Sequence, residues 1–174
     1  MGRKQKRPGR GVFARVKAVA APYVTAFISA HAIEAQIVAI KYNIPASAIL
    51  AQSALESKWG MKAPGNAFFG IKGSKSSGNT VQIATHEVIK GTRKAETDAF
   101  RAYDNWADAA DDYADLVTTD RRYASLLPHR NTPLKYAEAM GHTPYATGPD
   151  YGKLMQAIIQ WRFQVSSATQ GLMD

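Results

Sequence analysis

The sequence contains no cysteine in its 174 residues. This absence excludes disulfide bonds, thiol nucleophiles and cysteine-ligated metal centres. Histidine is rare as well, and the four copies lack the close spacing that metal ligands share: His31, His86, His129 and His142. We therefore expect neither a metal ion nor a cofactor in this protein.

Acidic residues are few, 14 against 22 basic ones, and the net charge is +8. Residues 1–17 hold seven Lys or Arg and no acid, so nearly all of the excess charge is at the N-terminus. We expect residues 1–20 to form a basic, flexible arm that is able to contact anionic envelope polymers. The rest of the chain is almost neutral, which argues against specific binding of nucleic acid.

Long apolar runs are also missing. No stretch reaches the ~18 consecutive apolar residues that a membrane span requires. The apolar segment after the arm is interrupted by Pro22, Thr25, Ser29 and His31. We expect no transmembrane segment and no cleaved signal peptide, so a role outside the cytoplasm would depend on another route of delivery.

Apolar and aromatic residues, by contrast, are plentiful: 45% of the chain is hydrophobic, with eight Tyr, six Phe and three Trp. That supply is enough for one compact domain, and 174 residues are too few for two ordinary ones. We expect a single domain over residues 21–168, a C-terminal tail over residues 169–174, and a monomer.

The first helix is predicted over residues 22–43, because apolar residues recur there at spacings of three and four. The recurring residues are Phe27, Ala30, Ile33, Ile37 and Ile40. A second helix is predicted over residues 48–59, with Ser47 as its cap. Residues 61–80 are rich in Gly, Ser, Asn and Lys, which is typical of a loop.

The period of the pattern changes over residues 81–103. Alternation over 81–89 predicts a strand, and residues 95–103 can return as its partner in a hairpin. Helical segments are predicted over 105–117 with Asp104 as cap, over 122–127, over 132–141 and from about 149 onward. The last should bury a stripe of Tyr151, Leu154, Ile158, Trp161 and Val165. The sequence thus predicts a mostly helical α+β fold with one inserted hairpin, and a ligand cleft between the two parts.

Glu56 is one of five glutamates in the chain and lies near the end of the second predicted helix, in the stretch AILAQSALESKWG. At 100° per residue it shares a helix face with Ile49, Gln52 and Trp59. Partial desolvation on that face and the negative end of the helix dipole would both raise its pKa, as a general acid requires. The plainer alternative is an exposed glutamate near Lys58, and spacing alone does not decide between the two.

Five segments occur in order along the chain: ILAQSALESKWG, NAFFGIKG, FRAYDNWADAADDYADLV, RRY and PYATGPDYGKL. Together they resemble the glucosaminidase domain of glycoside hydrolase family 73, which includes the peptidoglycan-cleaving domain of flagellar rod-cap proteins, bacterial autolysins and some phage lysins. The resemblance runs from about Phe27 to Trp161. It implies a lysozyme-like helical body with one inserted β-hairpin lobe, and the β-1,4-linked glycan of peptidoglycan as substrate.

The resemblance also implies catalytic residues. Glu56 occupies the place of the family's general acid, and Tyr145 resembles the tyrosine that lines the family's catalytic cleft. The family carries a second carboxylate on the hairpin, and Glu87 is the best positional candidate for it. Glu96 and Asp98 are weaker candidates. The second carboxylate would act as a base or as an electrostatic stabiliser.

Further residues are predicted to contact the glycan: Gln52, Asn66, Phe68, Phe69 and Trp106. The aromatic rings among them can stack on sugars, although packing in a core is the commoner role of such rings. We expect Asp112 to lie on a helix surface and Tyr151 to serve packing.

The chain departs from the family pattern at three places. It has ESKWG where ESGWG is usual, NAFFGIKG where NNLFGIKG is usual, and Gly148 where an aspartate is common. Lys58 either places a cation near the acid or faces solvent. Ala67 and Gly148 are able to alter subsite preference.

These features predict a peptidoglycan hydrolase, most simply an endo-β-N-acetylglucosaminidase. It would act in the periplasm or on the cell wall after delivery by phage lysis, a secretion machine or a parent protein. A muramidase or a lytic transglycosylase is an alternative, as are a non-catalytic wall-binding module and a nucleic-acid binder that works through residues 1–17. Inverting, retaining and substrate-assisted mechanisms all stay open, since no carboxylate separation follows from sequence.

Overall fold

The computed structural model describes residues 21–73, 78–89, 92–146 and 148–170, with backbone alone for residues 85–89, 92–96 and 162–170. The predicted arm over residues 1–20 and residues 171–174 of the predicted tail lie outside this description. The described helices are α1 (Pro22–Tyr42), α2 (Ala46–Ser57), α3 (Trp106–Thr119), α4 (Pro133–Met140) and α5 (Tyr151–Gln170). Strands β1 (Thr80–Ile89) and β2 (Thr92–Arg101) form the hairpin, and two short 3-10 helices cover Pro64–Asn66 and Arg121–His129.

Helix α1 lies where the sequence predicts it, and most of its recurring apolar residues are not on its buried face. Its buried side chains are Val24, Phe27, Ala35 and Val38, on a helix that packs against α2 and α3. Of the five recurring apolar residues, Phe27 is buried, whereas Ala30, Ile33, Ile37 and Ile40 are exposed. Helix α1 is apolar nearly all round, so periodicity alone does not indicate which face meets the core.

Among the described residues, α1 is also the one helix that is long and apolar enough to match a membrane span, with a mean hydropathy of 1.4. The core helix of a soluble protein and an N-terminal signal sequence meet the same criterion. One face of α1 is packed against α2 and α3, and the opposite face is exposed.

Helix α2 begins at Ala46, and its N-cap residue is Pro45 rather than the predicted Ser47. It ends two residues before the predicted end, because Lys58 and Trp59 adopt left-handed backbone conformations with φ of 50° and 59°. The hydroxyl of Ser57 donates to a carbonyl one turn back and accepts from a backbone N–H in the segment that follows. This abrupt end leaves Glu56 in the last turn of α2.

The predicted hairpin is confirmed. Strands β1 and β2 pair antiparallel without a break, from Thr80 opposite Arg101 to Ile89 opposite Thr92. The residues of its turn, 90 and 91, lie outside the described part of the chain. The segment after α2 binds the base of the hairpin, since the N–H of Arg101 donates to the carbonyl of Ile71 at 2.9 Å.

Helix α3 begins at Trp106, and its N-cap is Asn105 rather than the predicted Asp104. The Asn105 side chain accepts from the backbone N–H of Asp108 at 2.9 Å. Trp106 is buried, and its indole N–H donates to Ser53 Oγ at 2.8 Å. This buried hydrogen bond joins α3 to α2 one turn before Glu56.

The C-terminal helices lie at the predicted positions, but the buried face of α5 differs from the prediction. Helix α4 is confirmed with Pro133 in its first turn, while residues 121–129 form a 3-10 helix. Helix α5 buries Tyr151, Gly152, Met155 and Ile159. The predicted α5 stripe is wrong at Leu154, which is 52% exposed, and Ile158 and Trp161 are only partly buried. The side chain of Val165 lies outside the described part.

A partly buried ion pair joins the base of the hairpin to α3. Arg101, the last residue of β2, donates to both carboxylate oxygens of Asp112, at 2.7 and 2.9 Å. The Tyr103 hydroxyl donates to the same carboxylate. Asp112 therefore lies on the surface of α3, as predicted, and also holds the hairpin in place.

Replacing Asp112 with alanine should lower the free energy of unfolding by about 1–2 kcal/mol, because Arg101 and Tyr103 lose their shared acceptor. Urea unfolding followed by circular dichroism measures the change. The matched control is Asp115→Ala, an exposed carboxylate on the same helix that should change stability little. Equal losses in the two variants would contradict the role of Asp112 at the hairpin base.

Candidate active site

The carboxyl of Glu56 lies between the start of α5 and Gly70, which belongs to the segment that leads to the hairpin. Its Oε1 accepts a hydrogen bond of 2.6 Å from the hydroxyl of Tyr151, the first residue of α5. Its Oε2 faces Gly70, where an added Cβ would lie only 3.1 Å away. Gly70 precedes Ile71, whose carbonyl accepts from the end of β2. The two oxygens thus have different surroundings, one bound and one beside bare backbone.

Gly70 is required at its position for two physical reasons. Its φ of +61° is in the left-handed region, which L side chains adopt only at a cost. Any side chain there would also press on Oε2 of Glu56. The glycine of the NAFFGIKG segment therefore has a direct role in leaving room for the carboxyl.

Burial raises the pKa of Glu56 above its ordinary value of 4.5, and the hydrogen bond from Tyr151 partly opposes that rise. Two residues of the predicted helix face, Ile49 and Gln52, are fully buried beside it on α2. Trp59 leaves that face because the chain turns at its left-handed residues, and its ring packs edge-on against Phe27 at 5.8 Å. A carboxyl with a raised pKa stays protonated to higher pH, as a general acid requires.

The raised pKa makes Glu56 a source of pH-dependent instability. The folded state binds the proton more tightly than the unfolded state, so stability is lost as the pH rises through the interval above 4.5. Glu56→Gln cannot ionise, and we expect it to unfold at a higher temperature than the wild type at neutral pH. The difference should shrink as the pH falls towards 4.5.

Thermal unfolding over a series of pH values checks this expectation. Glu138→Gln is the matched control, since Glu138 is exposed on α4. Its effect should not change with pH in the same way. A Glu56→Gln variant that gains no stability at neutral pH relative to acidic pH would contradict the burial of the charge.

Tyr151 belongs to the candidate site by its contact with Glu56, whereas the sequence predicts only a packing role for it. Its side chain is 9% exposed and therefore packs in the core as predicted. Its hydroxyl also donates a hydrogen bond to the candidate acid, Glu56. Burial, followed by the nearby Glu56, raises the pKa of Tyr151 well above its ordinary value. The available signal was its place in PYATGPDYGKL, the same segment that contains Tyr145.

Tyr145 is partly buried, and its hydroxyl donates to the backbone carbonyl of Phe69. Its ring lies edge-on to Tyr113, with 5.9 Å between centroids. Burial raises the pKa of Tyr145 well above its usual range, and the nearby Glu56 adds to this effect. Tyr145 thus ties the segment after α4 to the residue that precedes Gly70, and so holds one wall of the site.

Three of the residues predicted to contact the glycan are buried: Gln52 (0% exposed), Phe69 (0%) and Trp106 (3%). Phe69 stacks on Tyr113 with 4.6 Å between centroids. The Gln52 amide makes no hydrogen bond within the described part of the chain. None of these side chains presents an open surface to a sugar.

The other two predicted contacts lie nearer the surface. Phe68 is partly exposed and lies edge-on to His31, with 5.6 Å between ring centroids. Asn66 donates through Nδ2 to the carbonyls of Tyr103 and Asp104 at 2.9 and 3.0 Å. Asn66 therefore anchors its loop to the segment after β2, and Phe68 is the aromatic ring of this group that is left accessible.

The candidate second carboxylates lie on the hairpin at different distances from its base. Glu87 is opposite Lys94 in the strand register and Glu96 is opposite Thr85, and both side chains lie outside the description. Glu87 is seven residues beyond Thr80, which corresponds to ~23 Å along the strand from the hairpin base. Asp98 is much nearer the base, and its carboxylate accepts from Lys72 at 2.6 Å. Glu87 therefore lies nearer to the tip of the hairpin than to its base.

Two cavities lie away from Glu56. One, of about 720 Å³, is between α1, α3 and the end of β2, and the other, of about 420 Å³, is between α1, α2 and α5. Within the described residues, no group of three His, Asp or Glu side chains converges as a metal ion would require.

Residues 32–161 match the model of the Glucosaminidase family, described as mannosyl-glycoprotein endo-beta-N-acetylglucosaminidase. The exo-glucosaminidase LytG of Bacillus subtilis is 35% identical over 142 residues, which cover 77% of this chain and 50% of that protein. The peptidoglycan hydrolase FlgJ of Escherichia coli K12 is 32% identical over 149 residues, which cover 81% of this chain and 47% of that protein. The chain thus spans about half the length of these curated relatives.

Solved structures share the fold. A peptidoglycan hydrolase mutant from Sphingomonas sp. A1 has a TM-score of 0.70 and 33% identity, covering 82% of this chain and 98% of that one. The glycoside hydrolase domain of FlgJ from Salmonella typhimurium has a TM-score of 0.68 and 28% identity, covering 86% and 94%. The predicted fold, a lysozyme-like helical body with one inserted hairpin, is confirmed by these similarities.

Proposed function

The chain belongs to the glucosaminidase family, and on this basis we propose that it is a peptidoglycan hydrolase that cleaves β-1,4 glycosidic bonds of the glycan strand. The specific activity we propose is that of an endo-β-N-acetylglucosaminidase. Glu56 is its general acid, which protonates the oxygen of the leaving sugar.

The surroundings of Glu56 are the observation that supports this role. One carboxyl oxygen is held by Tyr151, the other borders Gly70, and burial raises the pKa of the group. A general acid must keep its proton near the working pH and must be held in one orientation; the raised pKa favours the first condition and the hydrogen bond from Tyr151 the second. The exposed-glutamate alternative does not account for the hydrogen bond or for the shifted pKa.

Glu87 is the proposed second carboxylate, as a base or as a stabiliser of the oxocarbenium-like charge. Inverting enzymes hold their two carboxyls ~6.5–9.5 Å apart and retaining enzymes ~5 Å apart. Glu87 lies far along β1 from the hairpin base, and the proposal includes bending of the hairpin towards Glu56 once a glycan is bound. Glu87→Gln should then lose most of the cleavage rate while binding of the glycan persists. The substrate's own acetamido group is the alternative stabiliser, and full activity in Glu87→Gln would favour it.

The remaining predicted residues receive supporting roles in this proposal. Phe68 is the candidate for stacking on a sugar ring, since it is the partly exposed ring next to the site. Tyr145 holds the Phe69–Gly70 backbone against Glu56. Gln52, Phe69 and Trp106 are buried, and Trp106 supports α2 through its hydrogen bond to Ser53.

The place of action that follows from this substrate is the bacterial cell wall or the periplasm. Delivery by phage lysis, by a secretion machine or as part of a parent protein is compatible with the proposal. We propose that the protein acts as a monomer, and that the basic residues at positions 1–17 add an electrostatic attraction to anionic envelope components.

End-group analysis of the products tests the proposed bond specificity. Purified peptidoglycan is digested with the full chain, the fragments are reduced with borohydride, and their reducing ends are identified by mass spectrometry. Reduced N-acetylglucosamine ends are the expected result. Reduced muramic acid ends would instead indicate a muramidase, and anhydro ends a lytic transglycosylase. No fragments from a folded protein would overturn the enzymatic proposal in favour of a wall-binding module.

A further inference from the structure

One face of α1 is apolar and uncovered in the described structure. Its residues recur at spacings of three and four and are all exposed: Tyr23, Ala26, Ala30, Ile33, Ile37 and Ile40. We call these six residues the isoleucine face. Its three isoleucines are 72%, 61% and 83% exposed, in chain order. A strict repeat of this kind is typical of a helix seam that packs against another segment.

Carboxylates border the isoleucine face on the side of α3. Ile37 lines the 720 Å³ cavity together with four aspartates: Asp108, Asp111, Asp112 and Asp115. Lys41 pairs with Asp111, and Arg101 with Asp112. Within the described part of the chain, Asp108 and Asp115 form no salt bridge. The border is therefore net negative, and a matching partner must bring both apolar and cationic groups.

The N-terminal arm of the same chain has this chemistry. Residues 1–17 carry seven Lys or Arg and no acid. Apolar side chains stand among the last of these basic residues and after them, at Val12, Phe13, Val16 and Val19. Within the 174 residues this is the segment that combines a strong positive charge with apolar side chains, as the acidic border and the isoleucine face require.

The arm is also attached within reach. It joins α1 through Ala21, whose extended backbone (φ −56°, ψ 139°) precedes Pro22 at the first turn and does not continue the helix. From Pro22 to Ile40 the helix rises ~27 Å at 1.5 Å per residue. Nine residues of extended chain span ~30 Å, so residues 12–20 are long enough to run back along the whole isoleucine face.

Two other occupants fit the charges less well. A second copy placed symmetrically on this face would bring the acidic borders of both copies together. An anionic lipid surface would meet the same carboxylates at close range, and like charges repel there. The arm alone brings opposite charge, and its local concentration is high because it is covalently attached.

We infer that the N-terminal arm docks on the isoleucine face of its own molecule. Its apolar residues cover the three isoleucines, and its basic residues meet Asp108 and Asp115, the two carboxylates of this border that form no salt bridge within the described part of the chain. The contact is independent of glycan cleavage. It removes from water the apolar face that α1 otherwise exposes.

Paramagnetic relaxation enhancement in the full chain tests this inference, and the absence of cysteine makes single-site labelling clean. A nitroxide is attached at Ala14→Cys, and isoleucine methyl signals are compared before and after its reduction. At low salt, the methyl signals of Ile33, Ile37 and Ile40 should lose at least half of their intensity. In about 1 M salt, where the Debye length is ~3 Å, the loss should diminish.

Two charge variants separate docking from mere proximity. Asp115→Lys reverses an exposed charge in the acidic border, and Glu138→Lys makes the same change on α4. Asp115→Lys should weaken the signal loss, and Glu138→Lys should leave it unchanged. Equal effects of the two variants, or no loss at low salt, would overturn the inference.

The competing occupants give opposite results. Signal loss that appears only when labelled and isotope-enriched chains are mixed would assign the face to a second copy. Absence of intramolecular signal loss, together with sedimentation on phosphatidylglycerol vesicles that Ile37→Asp abolishes, would assign it to a membrane. Either result would overturn docking of the arm within one molecule.

Discussion

Glu56→Gln should lower kcat for cleavage of peptidoglycan by about 10²- to 10⁴-fold, the usual contribution of general acid catalysis. The amide keeps the size of the side chain and can still accept from Tyr151, but it cannot donate a proton to the leaving oxygen. Glycan binding should persist, because the loss is confined to the transition state. The rate of appearance of reducing ends measures kcat, and co-sedimentation with purified walls measures binding.

Glu138→Gln is the matched control and should retain the full rate, since Glu138 is exposed on a different helix. The thermal stability of Glu56→Gln at neutral pH shows independently that the variant is folded. A folded Glu56→Gln enzyme with a near wild-type rate would contradict the role of Glu56, whatever the nature of the products.

Tyr151→Phe should lower kcat by about ten- to a hundredfold, because a hydrogen bond to an ionisable group contributes about 1.5–3 kcal/mol. The ring stays buried, so the loss concerns the hydroxyl that orients Oε1 of Glu56. Removing that hydrogen bond also removes the contribution that lowers the pKa of Glu56. The acid should then remain protonated to higher pH, and the alkaline limb of the activity profile should shift upward.

The pH profile distinguishes positioning from packing. Tyr136 is another buried tyrosine, on helix α4, which packs against α5. Tyr136→Phe removes its hydroxyl and should leave the alkaline limb of the activity profile in place. A lower rate in Tyr151→Phe with an unshifted limb would indicate that Tyr151 acts through packing alone. No change in rate or limb would remove Tyr151 from the site.

Local patterns predicted the elements because they depend on near neighbours. The alternation over residues 81–89 and the β-prone return strand specify a hairpin without reference to the rest of the chain. Helix α4 begins at Pro133 because proline suits the first turn of a helix. The caps were less predictable, since Pro45 and Asn105 compete with Ser47 and Asp104 at neighbouring positions.

Faces were predicted less well than elements. Helix α1 is apolar nearly all round, so its periodicity fits both the true buried side at Phe27 and the exposed side at Ile37. On α5, Leu154 is as apolar as Met155, but Met155 shares the inward side with Tyr151. On α1, the packing positions of α2 and α3 decide which apolar residues are covered, and on α5 that of α4 does. That information is carried by the partner elements and not by the helix itself.

The candidate site also has some features that the sequence identifies and others that only the fold produces. The ordered segments determined the family and the choice of Glu56 by themselves, because the order and spacing of motif residues are properties of the sequence alone. Only the tertiary structure brought Tyr151 to Glu56 across 95 residues of sequence and set Gly70 against its second oxygen. The pKa of Glu56 likewise depends on burial, which no local pattern specifies. Desolvation and hydrogen bonding are contacts between distant parts of the chain, and they exist only once the chain is folded.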